Sequence, residues 1–136
     1  MNITKAVSKI VLLLVVLMFL LQITSQAEPA VDNEIGKLEY YRFCATCHGD
    51  DGKGDGPKAI QLSATPTNLT LLSKINGGTF PETAVYNIID GRKVADYHGQ
   101  EMPIWGEHLK EIEGNEEVVD ERIGNLIEYL KNIQLK

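Results

Sequence analysis

Cys44-Ala45-Thr46-Cys47-His48 is the stretch on which the reading of this chain turns. Two cysteines three apart, followed at once by histidine, have the spacing of covalent haem attachment. Each thiol can form a thioether to one vinyl side of the macrocycle. The adjacent imidazole then stands under the iron as proximal ligand. The two-residue spacer matters, because one helical turn carries both sulfurs to the same face. Other uses of the pair fit less well. A thioredoxin-like redox pair sits beside a βαβ pattern, which this chain does not show. Structural zinc takes four ligands; Cys44, Cys47 and His48 supply three, and no second Cys or His pair at ligand spacing follows. An iron–sulfur cluster usually asks for four cysteines, and the chain has two. A structural disulfide between them is the bland alternative.

Working outward toward the C-terminus, Met102-Pro103-Ile104-Trp105-Gly106 is the second chemical site. Of three methionines, Met1 and Met18 fall in an N-terminal leader, so Met102 is the thioether left to a mature domain. Pro103 biases Met102 to extended backbone, which suits a side chain delivered from a loop. A lone methionine is ordinarily core filling; the haem motif upstream turns the reading toward a distal iron ligand. His98 and His108 are the rival axial ligands, each otherwise a surface residue. Trp105 reads as core, with its indole against the cofactor edge and its N–H seeking a partner.

Between the two sites, Gly49 to Pro57 is a turn-rich loop in which Gly49, Gly52, Gly54 and Gly56 alternate with Asp50, Asp51, Lys53 and Asp55. It lacks the Gly-Lys-Ser/Thr ending of a phosphate loop, and Lys53 occupies a position where a calcium loop wants oxygen. It therefore reads as a wrap round the cofactor edge. Pro57, which has no N–H, is the expected carbonyl acceptor for the second ring nitrogen of His48, since a ligating histidine usually donates that proton.

The chain has 136 residues, which points to one domain. Ile10 to Leu21 is an unbroken apolar run of twelve preceded by Lys5 and Lys9. That suits a signal-peptide core and falls short of the ~20 residues of a spanning helix. Ser25-Gln26-Ala27 offers small residues where a signal peptidase reads, so residues 1–27 are the expected leader. An uncleaved anchor over Val7 to Ile23 is the alternative. Cleavage after Ala27 removes two lysines and leaves 109 residues, 28–136, with net charge −8. Export to the periplasm agrees with the haem reading, because thiols outside the cytoplasm become disulfides unless something claims them. The acidic surface disfavours nucleic acid and anionic membranes. It suits redox partner proteins with basic docking patches, met as a monomer; membrane association follows only if the leader is retained.

Helical signals fill the rest. Asp32 or Asn33 caps a first helix with Ile35, Leu38, Tyr41 and Phe43 on its apolar face. Gly36 inside it is either a tolerated surface glycine or the place where another helix crosses. Ala59 to Leu62 makes a turn, and Thr67 or Asn68 caps a short helix through Leu69, Leu72 and Ile75. Thr79 and Glu82 have capping-box spacing ahead of Ala84, Val85, Ile88 and Ile89, with Gly91 as the stop. Glu107 to Glu121 carries seven acidic residues and reads as a solvated face, or less simply as a dock for a basic partner. Asn115 or Asp120 starts the last helix, with Val119, Ile123, Leu126, Ile127, Leu130 and Ile133 at spacings of three and four. No stretch alternates long enough for a strand.

Together these motifs resemble the small exported c-type cytochromes of the mitochondrial-cytochrome-like class I, over nearly all of residues 33 to 135. The attachment motif is similar to Cys44 through His48, and the family's Met-Pro-x-aromatic segment to Met102 through Gly106. Gly36 and Tyr40 match a glycine and an aromatic of the family's first helix. Leu126-Ile127-Glu128-Tyr129-Leu130 looks like its last helix, whose aromatic lies across that glycine. A mid-chain tryptophan that some members use on a propionate has no match here. The resemblance implies an all-α cytochrome c fold, with N- and C-terminal helices crossing and short helices and loops wrapped round one covalent haem c. It implies a one-electron carrier rather than an enzyme, with Cys44 and Cys47 binding the cofactor and His48 and Met102 on the iron. The alternatives are a subunit of a larger oxidoreductase, or a haem enzyme or sensor with an exchangeable distal ligand.

Overall fold

The computed structural model describes residues 9, 12–14, 30–94 and 101–135. Most of the expected leader, its candidate Ser25-Gln26-Ala27 site and His98 lie outside the described residues. Helix α1 (Ala30–Phe43) runs into a single turn, α2 (Ala45–His48). A long loop with 3-10 turns at Ala59–Gln61 and Leu69–Leu71 leads into α3 (Leu72–Ile75). Helices α4 (Glu82–Asp90), α5 (Trp105–Glu113) and α6 (Glu116–Asn132) follow. Among the described residues there is no strand, and no helix is long and apolar enough to cross a membrane. The all-α expectation therefore holds.

Helix α6 forms where the sequence says it should. Asn115 accepts from the Glu117 amide at 2.9 Å, satisfying a donor that the first turn leaves open. Glu116 and Glu117 then oppose the positive end of the helix dipole. Val119, Ile123, Leu126, Ile127 and Leu130 are all buried, each contributing at most about 1.5–3 kcal/mol of apolar burial. Its principal partner is α1, as expected of crossing terminal helices.

The face that α1 turns to α6 is not the predicted one. Ile35, Leu38 and Tyr41 are exposed, Leu38 by 70%. Gly36 and Tyr40 are buried instead, with Asn33, Glu39 and Phe43 half-buried. The reason is the closeness of the crossing. A Cβ on Gly36 would stand 2.0 Å from the Asn125 carbonyl oxygen and 3.0 Å from Tyr129 Cβ. Backbones this near exclude bulky aliphatics, so small and polar groups make the contact. Asn132 Nδ2 donates to Asn33 Oδ1 at 3.1 Å, Arg122 pairs with Glu39 at 2.7 Å, and the Tyr40 and Tyr129 rings lie 5.2 Å apart. Helix α1 also starts at Ala30 rather than after an Asp32 or Asn33 cap.

One further local expectation changes. Thr79 does not cap α4: Pro81 holds the cap position with no side-chain bond. The Glu82 carboxylate is drawn instead to Lys131 on α6, at 2.7 Å. The acidic stretch after Trp105 is helical, as α5, because Leu109 is buried on one side of it. The other signals agree. Asn68 accepts from the Thr70 amide at 3.0 Å, and Gly91 ends α4 in the left-handed region at φ 70°.

Gly36→Ala should lower stability by about 1–3 kcal/mol, as overpacking against rigid backbone does. Leu38→Ala, on the exposed face, should stay within about 0.5 kcal/mol of wild type. Denaturant unfolding of the two variants checks the ordering; equal losses would contradict the crossing described.

Candidate functional site

The attachment motif continues α1 through a tight turn. The Cys44 amide donates to the Tyr40 carbonyl at 2.8 Å, and the Cys47 and His48 amides converge on the Cys44 carbonyl at 3.1 and 2.9 Å. The turn's last carbonyls would be orphaned as at any helix end, and the glycine-rich loop satisfies them. Lys58 N–H reaches Thr46 O at 2.9 Å, Gly56 reaches Cys47 O at 3.1 Å, and Gly54 reaches His48 O at 2.7 Å. Tyr40, fully buried, donates its hydroxyl to the Gly49 carbonyl. The loop expected to wrap flexibly round the cofactor edge is instead strapped onto the motif by these bonds.

A later stretch, Ser63 to Asn68, orients His48. Nδ1 lies 3.1 Å from the Thr67 carbonyl oxygen, so the acceptor is Thr67 and not Pro57. Gly54 makes the approach possible. At φ 83° its missing Cβ would meet the Pro66 carbonyl oxygen at 2.1 Å. Leu69 N–H to Gly52 O at 2.7 Å fastens the same segment. A histidine donating from Nδ1 carries its lone pair on Nε2, the tautomer a metal-ligating imidazole needs.

Both thiols, the His48 ring and the Met102 side chain stand on the lining of one cavity of about 350 Å³, within the usual size of small-molecule sites. The rest of the lining is mainly apolar, with Phe43, Val85, Trp105 and Leu126 bringing in α1, α4, α5 and α6. His108 is not on this lining. It is exposed on α5, with its ring 5.6 Å from Trp105 and 6.3 Å from Phe43.

Cys44 and Cys47 are not joined in a disulfide. Burial, with the Glu39 charge adding to it, pushes the Cys44 thiol up to about 12. The thiol faces a largely apolar space. No group of three or more His, Cys, Asp or Glu side chains placed to hold a metal ion occurs among the described residues, so the zinc reading finds no geometry. A covalent haem does fit these residues. The cavity offers apolar walls to a macrocycle, two unbridged thiols for thioether bonds, and an imidazole and a thioether as axial donors.

Sequence reasoning missed several neighbours. Thr67 acts through its backbone, so its side chain carries no signal; only the glycines that clear space for it were visible. Phe43, next to Cys44, lies 5.1 Å from Trp105 and under the guanidinium groups of Arg42 and Arg122, at 5.2 and 5.4 Å. Arg122 is in turn held by Glu39 at 2.7 Å and Glu113 at 2.6 Å. Gly106 lets α5 settle on the buried Asp90, whose Oδ1 would lie 2.0 Å from a Cβ there.

Gly54→Ala should cost about 1–3 kcal/mol, through both the left-handed backbone and the clash with Pro66. Gly77→Ala, at φ 68° with open space around it, should cost only about 1 kcal/mol. Thermal unfolding of the paired variants reads the difference.

Comparison with known proteins agrees with the geometry. No match is found among curated proteins or among solved structures. A sequence model of the cytochrome c family, by contrast, matches residues 34–134, the span that holds both halves of the cavity. The chain belongs to the cytochrome c family, electron-transfer proteins that carry a covalently bound haem c.

Proposed function

We propose that the protein is an exported one-electron carrier with a single haem c, attached through Cys44 and Cys47 and ligated by His48 and Met102. The observation that carries this reading is the shared cavity, on whose lining both thiols, the imidazole and the one thioether of residues 28–136 stand together. Bound there, the haem supplies a one-electron iron couple, whose potential a histidine–methionine pair raises. The chain's own residues do the rest. Thr67 fixes the His48 tautomer and ring orientation through its carbonyl. Phe43, Trp105 and Leu126 exclude water from the cofactor's surroundings, which disfavours the more highly charged ferric site. Pro103 holds Met102 in a restricted backbone conformation.

Residues 1–27 act as a leader that is removed on export to the periplasm. Partners are met in brief, weak encounters and offer basic patches. The acidic stretch supports this in part. Glu113 is held by Arg122, and Glu116 by Arg92 and Lys110. The charge presented to a partner therefore rests on exposed residues such as Glu107, Glu111, Glu117 and Glu121.

Met102→Ala should lower the reduction potential by on the order of 100 mV, inside the ~0.8 V that axial ligands command. It should also let the ferrous protein bind CO. Redox titration and CO difference spectra measure both. Wild-type protein that binds CO readily and lacks a sulfur-to-iron absorption overturns the ligand assignment in favour of an enzyme or sensor. A complex that survives purification overturns the free carrier in favour of an oxidoreductase subunit.

A further inference from the structure

One contact beside the cavity serves neither the helix packing nor the attachment motif. Glu101, the residue before Met102, reaches across to the loop that orients His48. Its two carboxylate oxygens accept from the Ser63 amide at 3.0 and 2.8 Å, and Oε2 also accepts from the Ser63 hydroxyl at 2.8 Å. The two residues are 38 apart in sequence. Ser63 begins the loop whose other end presents the Thr67 carbonyl to His48 Nδ1. Glu101, Ala64, Thr65 and Thr67 all lie on the cavity lining. One loop therefore touches both sides of the site: Thr67 bonds the imidazole, and Ser63 bonds the residue next to the thioether.

The contact flanks Met102 on one side, and a packed helix start flanks it on the other. Met102 precedes α5, so the N-terminal helical residues after it are anchored by Gly106 on Asp90. On its other side, the Glu101–Ser63 contact ties the residue just before Met102 to the loop. A flexible methionine side chain holds a fixed site only if its backbone is fixed. A carboxylate accepting a backbone N–H and a hydroxyl at once is geometrically specific in a way that a lone surface ion pair is not.

We propose that Glu101 is a positioning residue: bonded to Ser63, it latches the Met102 segment to the Ser63–Thr67 loop and so keeps the thioether side of the cofactor site closed to outside ligands. This rests on the His48/Met102 reading above. It predicts that the latch controls how often Met102 leaves its place, and through that the rate at which small ligands enter.

The test uses the haem-loaded full protein in its ferric form, with imidazole as the entering ligand followed by stopped flow and the sulfur-to-iron absorption as the readout of Met102. Glu101→Ala should accelerate imidazole binding about fivefold and weaken the absorption, as expected when a charge-assisted contact near the surface is removed. Ser63→Ala, which keeps the amide donor, should give a smaller effect. The double variant should be no faster than Glu101→Ala alone, because both changes break one contact. Tyr86→Phe serves as control. It removes the Tyr86 bond to Asp120, away from the cavity lining, and should lower the melting temperature without changing the imidazole rate. A Glu101→Ala rate equal to wild type, or an equal acceleration in Tyr86→Phe, overturns the latch while leaving Met102 as ligand. Absence of the sulfur-to-iron absorption in wild type overturns the ligand assignment and the latch with it.

Discussion

The close crossing of α1 over α6 at Gly36 and Asn125 is the constraint on which the rest of the structure depends. With 2.0 Å between a would-be Cβ and the Asn125 carbonyl oxygen, only glycine permits the two helices to meet at this point. The crossing fixes how α1 is rotated, and α1 leads directly into Cys44. Had Ile35 and Leu38 faced α6, as their spacing invited, the two thiols would have emerged on another side of the helix. As it stands, Tyr40, Cys44 and Cys47 come off the buried side and share a cavity with Leu126 and Leu130 of α6.

Much of this was legible in the sequence, and what was not has a physical reason. The attachment motif declares itself through side-chain chemistry and α6 through apolar periodicity, and Met102, singled out as a thioether, lies on the cavity lining. Gly36 was legible only in the light of the family's helix pairing. The buried face of α1 was misread because periodicity assumes that apolar side chains make the contact, whereas here backbone, tyrosine and an ion pair make it. Helix α5 was hidden by its charge, its inward face resting on Gly106 and Leu109. Thr67 was missed, and Pro57 named in its place, because any residue can offer a carbonyl. Which one reaches His48 is decided by how closely Pro66 can approach Gly54.

The loops are where site and fold become one object. The glycine-rich loop satisfies the carbonyls of α2, then receives Leu69 at Gly52. The Ser63–Asn68 stretch bonds His48 at one end and Glu101 at the other. Hydrogen bonds therefore tie this one stretch both to His48 and to the residue before Met102. This suits a small domain whose centre is an apolar cavity for a cofactor: the walls supply water exclusion, and the straps supply precision.

The most direct test of the account is the intact mass of the exported protein made in a cell competent in cytochrome maturation, read with its pyridine haemochrome spectrum. The account predicts the 109 residues from Glu28 to Lys136 carrying one haem that acid extraction does not remove, with the spectrum of a haem joined by two thioethers. A bare polypeptide, or a haem that extracts away, would contradict it.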